Sequence, residues 1–393
     1  MIAGLRRPVA ALAAALLLLS GSFAASGAPA VRFAWVQWAF DGRPHARAIT
    51  GGGCPPLVAG GRPFPMRVRA LPEPGFSDTV CDAVYPASGP AQIGTFRLPA
   101  IPRAPTRIAV FGDSGCRVQG KNLQACNDPV RWPMPGIVRA IAAAHPQLVV
   151  DVGDYYYRET ACPADAPVDC ARTPYGDRES SWDADWFAPA EPLFATAPLF
   201  LVRGNHEDCK RGGRGWSRYL SGLPGAVCTY HDDPAYARFD NLLLADVDSA
   251  NGDEFDAGGA LFVGDERLVD SRAQADRVET WLVTHRPPLA YLAAHADADP
   301  NGPHLAALVS GHIHTFGAYA FSGTAPQLIV GTGGDTLASA KEVASLSPFG
   351  VTDAHFGYAL FERRAGGWDV SVYGAEGDVR HRCRLEARSV RCT

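Results

Sequence analysis

The stretch LVVDVGDYYYRE, Leu148 to Glu159, opens as an apolar run rich in β-branched residues and ends in Gly153-Asp154 and three tyrosines. A short apolar run closed by a turn signal reads as a buried strand. An aspartate at its end, heading a row of aromatic residues, does not fit simple core packing. Working outward, "RIAVFGD" (107–113) is a second buried strand, and "PGIVRAIAAAH" (135–145) between the two is an amphipathic helix. Downstream, "DADWFAPAEPLFATA" (183–197) reads as helical despite its prolines, and "LFLVRGNHE" (199–207) as a strand. "NLLLADVDS", "VETWLVTHRPP", "LAALVSGHIH" and "QLIVGTGGD" supply four more strands. Strands alternating with helices argue for an α/β fold with a largely parallel core. The tail, from 358 onward, reads as antiparallel hairpins.

Residues 31–105 have another texture. "VRFAWVQWAF" and "PMRVRAL" alternate as half-buried strands do, separated by "GGGCPP", "GGRPFP" and "PEPG". They predict a small β-rich N-terminal domain, joined through the proline-rich "LPAIPRAPT" to a larger domain over 106–393. Residues 1–30 have the form of a secretory signal peptide: Arg6 and Arg7, then an apolar stretch from Val9 to Leu19, then small residues. That stretch is shorter than the ~20 residues a permanent span needs, so no stable membrane insertion is expected. Cleavage fits after Ala24 or Ala30, and Arg6-Arg7 also raises twin-arginine export. Export places the chain in a periplasmic or secreted setting. There an even set of 10 cysteines reads as disulfides. Neighbouring couples suggest 54–81, 116–126, 162–170, 209–228 and 383–392; sequence alone does not fix the connectivity. No CxxC occurs, which argues against a zinc cluster. The formal net charge of -5 and the absence of a basic run give no reason to expect a nucleic-acid partner. The oligomeric state is not readable.

Five strands end in polar residues: Asp113 in FGDSG, Asp154 in VGDYYY, Asn205 and His206 in RGNHED, His285 in VTHRPP, and His312 and His314 in SGHIHT. Ligands of open α/β sheets sit beyond the carboxyl ends of strands. Each piece alone has a bland reading, as a turn or a satisfied histidine. Five in order at strand termini do not share one.

The ordered set resembles the calcineurin-like metallophosphoesterases over roughly Arg107 to Asp335. The resemblance implies an α/β, four-layer β-sandwich flanked by helices, with a dinuclear metal centre at the strand ends. Asp113 would bind the first metal and Asp154 would bridge. Asn205, His285 and His312 would bind the second, and His314 would return to the first. His206 would stay off the metals, contact the phosphate and protonate the leaving group. Many members carry a histidine two residues after the first aspartate; here that position is Gly115. The purple acid phosphatase branch shares the glycine and supplies a tyrosine three residues after the bridging aspartate, which is Tyr157 here. On that resemblance Tyr157 is the candidate phenolate ligand, and Tyr155 and Tyr156 pack; the alternative is that all three pack. Fe(III) with Zn, Mn or Fe(II) is favoured, and a Zn or Mn pair remains open. The short front domain and the cysteine-rich loops are closer to bacterial exported members.

The function implied is hydrolysis of phosphomonoesters by metal-bound hydroxide, with a phosphodiesterase or a non-catalytic binding protein as alternatives. Glu207 has two readings, an orienting contact or a surface position. Gly331–Asp335 reads as a tight turn behind the site rather than a phosphate loop. Cys116 reads as a disulfide rather than a nucleophile, and His295, His304 and His355 as surface residues.

Overall fold

The computed structural model describes residue 1 and residues 30–86, 90–251, 257–288, 304–321, 325–386 and 388–393. The signal-like stretch therefore lies almost wholly outside the described residues.

Two large sheets face each other. One has 11 strands. Its centre is parallel: Arg107–Phe111, Leu148–Asp151 and Leu199–Leu201 lie side by side, with Val150 opposite both Val110 and Phe200. The C-terminal strands Gly357–Arg364, Gly367–Gly374, Val379–Glu386 and Ser389–Cys392 add antiparallel hairpins on one flank, as the sequence predicts. The second sheet, of 7 strands, has Leu243–Asp246, Thr280–Val283, Leu305–Ser310 and Gln327–Val330 as its parallel centre.

Side-chain alternation fixes which face meets what. Val110, Val150 and Val202 point into the layer shared with Leu244, Trp281, Val283 and Val309. Ala109, Phe111 and Val149 point the other way, under the helices Met134–Ala143 and Ala188–Phe194. Helix Ala257–Asp276 covers the outer face of the second sheet through Val269 and Ala273. The result is the four-layer α/β arrangement expected.

The strand-rich front region does not sit apart. Val31–Trp38 joins the large sheet in parallel beside Leu199–Leu201, followed by Pro44–Thr50, Thr79–Val84 and Arg67–Ala70. Phe33 and Trp35 pack on Phe187 and Phe194, while Ala34 and Val36 face a separate 4-stranded sheet. Alternation suggested a half-buried strand over 31–40, yet Gln37 there is only 1% exposed, as is Arg47 on the next strand. Both cap a helix end. The π-turn Trp216–Leu220 leaves carbonyls without helical partners. Gln37 donates to Leu220 O at 2.5 Å, and Arg47 to Tyr219 O and Ser221 O at 2.7 Å each. Arg69 donates to three more carbonyls, of Ser217, Arg218 and Leu223, and shares that of Ser221.

All five disulfides join the neighbouring couples. Among the described residues no helix is long and apolar enough to cross a membrane.

Candidate metal centre

The polar strand ends converge. Asp113, Asp154 and His314 present ligand atoms within 4.8 Å of one another, and so do Asp154, His285 and His312. Asp154 belongs to both groups. Asn205 joins the second: its Oδ1 lies 3.0 Å from His285 Nε2 and 2.8 Å from His312 Nδ1. Tyr157 joins the first: its hydroxyl lies 2.7 Å from Asp154 Oδ2, 3.1 Å from His314 Nε2 and 3.3 Å from Asp113 Oδ1. Tyr155 instead lies on Trp216 and edge-on to Trp186, and Tyr156 stacks on Trp182.

Local backbone explains the convergence. Asp113, Asp154, His312 and His314 all have positive φ, of 54°, 61°, 70° and 27°. Non-glycine residues avoid this region unless their surroundings enforce it, and such residues cluster at functional sites. Close approach makes two glycines necessary. A Cβ at Gly153 would meet His285 Nδ1 at 2.8 Å and Gly204 N at 2.9 Å. One at Gly115 would meet Tyr155 O at 2.7 Å and the Tyr157 ring at 2.9 Å. The phenol ring thus fills the space a side chain at 115 would need.

Partners behind the donors fix their aim. His285 bonds Val152 O through Nδ1 at 2.8 Å, and His314 bonds Thr336 O through Nδ1 at 2.6 Å, so Nε2 of each faces the shared space. Glu207 is fully buried, which removes the surface reading. Its carboxylate accepts the N–H groups of Asp154, Tyr155, Tyr156 and Gly204 at 3.0–3.1 Å. Burial, and then Asp154, hold its carboxyl well above the usual range.

The donor chemistry fits cations. Two carboxylates, three imidazoles, an amide oxygen and a phenol are hard or borderline ligands for divalent and trivalent ions. The protein alone leaves them at odds. Burial opposes charge on His314, but Asp335 and Asp113 outweigh it and lift the imidazole to about 10. Burial, His285 and Arg286 push His312 down to about 2. Burial, Asp154 and Asp113 drive the Tyr157 phenol well above its ordinary value, so ionising it needs a neighbouring cation. Cation binding here would release protons.

His206 lies in neither donor group. Its main-chain N–H donates to Asp154 Oδ1 at 2.8 Å, its ring Nδ1 lies 2.7 Å from Glu159 Oε1, and its ring Nε2 lies 4.0 Å from Asp154 Oδ2. Arg211 bonds both Glu159 and the His206 ring. A cleft of about 630 Å³ opens over His206, Asn205, His312 and His314 toward Arg117 and Lys121.

Several of these partners carry no mark in the sequence. Glu159 closes the very stretch that sets the fold, yet an acid after aromatic residues carries no local sign of meeting a histidine. Arg117 pairs with Asp335, in the turn Gly331–Asp335, and stands 4.6 Å above the Tyr157 ring. That turn packs on the Asp113 loop, with Asp335 N–H donating to Asp113 O at 2.8 Å. Cys116 is tied to Cys126. His304 and His355 pair with Asp270 and Asp353 and belong to neither donor group. His295 lies outside the described residues.

A family model described as calcineurin-like phosphoesterase matches residues 106–316. Among solved structures, the chain is similar to a purple acid phosphatase from yellow lupin (Lupinus luteus) seeds. Identity is 14%, coverage 89% of this chain and 73% of that one, and the TM-score 0.55. It is also similar to PhoD, at 10% identity over 92% of this chain and 91% of that one, with a TM-score of 0.59. At such identities the likeness is one of fold. No curated protein matches the chain.

Proposed function

The chain belongs to the calcineurin-like phosphoesterase family, and from that premise we propose that it is an exported hydrolase of phosphomonoesters, working at two metal ions. The observation that carries this reading is the pair of donor groups sharing Asp154. Asp113, Tyr157 and His314 would hold the first ion with Asp154, and Asn205, His285 and His312 the second. A phenol in the first group favours Fe(III) there, with Zn, Mn or Fe(II) beside it; a Zn or Mn pair is the other assignment. When bound, the pair supplies Lewis acidity and a hydroxide near neutral pH.

The chain's own residues do the rest. Asn205 and His206 face the cleft and hold the phosphoryl oxygens. His206, kept in place by Glu159 and Arg211, gives a proton to the leaving oxygen. Glu207 holds the Asp154 backbone still while charge shifts on phosphorus. The five disulfides and the signal-like N-terminus support export, to the periplasm or beyond.

The test compares p-nitrophenyl phosphate with its bis ester, before and after chelation and metal return. Monoester hydrolysis should vanish with the chelator and come back with metal. Activity confined to the diester would replace the monoester reading with a phosphodiesterase. A purified protein that holds metal and cleaves neither ester would point to a binding role.

A further inference from the structure

The phenol of Tyr157 reaches the first donor group only because its backbone is held from behind. Asp185 does the holding. Its Oδ2 accepts the N–H of Tyr157 at 2.9 Å and of Arg158 at 3.1 Å, and its Oδ1 accepts Cys116 N–H at 3.0 Å and Arg158 Nε at 2.6 Å. One carboxylate thus ties the segment after Asp113 to the segment after Asp154. Asp185, Tyr157 and Cys116 are fully buried, and Arg158 is 3% exposed. No water is needed to complete the joint.

The element that carries Asp185 is irregular in a way that serves this joint. Asp183–Phe187 forms a π-turn between the helices Glu179–Trp182 and Ala188–Phe194. A π-turn holds one residue more than an α-turn, and such turns recur at functional sites. Here Asp185, Trp186 and Phe187 are buried in succession. Trp186 meets Tyr155 with ring centres 4.9 Å apart, and Phe187 meets Trp35 at 5.4 Å. The same turn therefore packs the first tyrosine of the row and fixes the backbone of the third. Gly115, next to Cys116, leaves room for the ring: a Cβ there would stand 2.9 Å from it.

We propose that Asp185 is a positioning residue for the first cation: by pinning the Tyr157 and Cys116 backbones together, it places the phenol oxygen among Asp113, Asp154 and His314. The inference rests on the reading of Tyr157 as a donor to that cation. Asp185 itself touches neither cation nor substrate.

The experiment uses the full, metal-loaded protein and reads bound metal by elemental analysis after dialysis, visible absorption of the iron-loaded form, and the thermal midpoint. Asp185→Asn keeps the shape but turns an N–H donor toward other donors. It should stay folded, bind the first ion at least tenfold more weakly, retain about one equivalent where the wild type retains about two, and lose the visible band. Arg158→Met cuts the ion pair but leaves both backbone N–H groups on Asp185; it should lower the midpoint and keep both metals and the band. A folded Asp185→Asn protein with full metal and an unchanged spectrum overturns the proposal. Tyr157→Phe separates the two levels. If it also keeps full metal and spectrum, the tyrosine reading has failed and not merely the role of Asp185. Should Asp185→Asn not fold, Asp185→Ser takes its place, and failure of both to fold would mark Asp185 as a folding residue and overturn the proposal as well.

Discussion

At the seam between residues 31–105 and the π-turn Trp216–Leu220, the buried Arg47 and Gln37 and the half-buried Arg69 donate to backbone carbonyls. Arg47 also meets Asp82 at 3.0 Å, and Arg218 meets Asp78 at 2.9 Å. At the cleft, Asp113, Asp154, Asp151 and Glu207 are buried within one neighbourhood, and Asp151 Oδ2 has no partner among the described residues. The seam answers every charge with a fixed dipole or an opposite charge. The cleft gathers like charges: burial and neighbouring carboxylates hold Asp151 and Glu207 well above the ordinary carboxyl range, while His285 and His206 hold Asp154 well below it against its burial. Buried polar groups therefore mean different things in the two places. In the seam they fasten strands to a helix end; in the cleft, on the proposed function, Asp113 and Asp154 would be answered by cations.

Changes at the shared aspartate should draw the contrast most sharply. Asp154→Asn is expected to strip both metals and slow turnover about a thousandfold, while the metal-free protein unfolds no more readily than metal-free wild type. Elemental analysis and a denaturation curve decide it; full metal content in the variant would contradict the bridging role. In the seam, Arg47→Met should cost about 3 kcal/mol of stability, because it leaves Asp82 and two carbonyls short of a donor. Its kcat/KM, measured on folded protein, should stay within about twofold, the ordinary scatter for a site remote from the chemistry. A parallel fall in both quantities would show that seam and cleft are one unit. His206→Ala should keep both metals and turn over at least tenfold slower, about 1.4 kcal/mol; unchanged rates would remove its role as proton donor.

The smallest effect expected is a pH dependence of the seam. Burial opposes charge on His45, but Asp82 and Asp41 outweigh it and raise its pKa. Its contribution is complete below 6.5, the ordinary histidine value, and fades as pH rises through the raised one. Burial works against the Asp82 carboxylate too, yet His45 and Arg47 bring it down to about 2. Its contribution is present above the ordinary aspartate value and is lost as pH falls through about 2. Asp82→Asn should therefore destabilise most near pH 5–6, on the order of 1 kcal/mol more than at pH 9. Equal losses at both pH values would mean that His45 and Asp82 do not titrate as a pair.

What could be read from the sequence follows from how local each signal is. Asp113, Asp154, Asn205, His285, His312 and His314 each end a strand, so strand and donor announce each other. The five disulfides follow neighbouring cysteines. Asp185 sits in a helix whose pattern says only that the face is buried, and its four donors arrive from segments 27 to 69 residues away. Gln37 looks solvent-facing by alternation, and nothing in its strand or in that of Arg47 reveals a helix end lying across them. The front strands betray their apolar faces but not that the neighbour is Leu199–Leu201.

The left-handed backbone at Asp113, Asp154, His312 and His314 bears on how the centre should be dismantled in the laboratory. Aspartate and histidine carry the same Cβ as alanine, so this conformation already costs the native chain ~1 kcal/mol or more at each position, and an alanine scan would delete the donor with most of that strain left in place. Glycine accepts the conformation freely and asparagine tolerates it. A glycine scan of these four positions would delete the donor and release the strain as well, so glycine set against alanine at each position separates the lost ligand from the strained main chain.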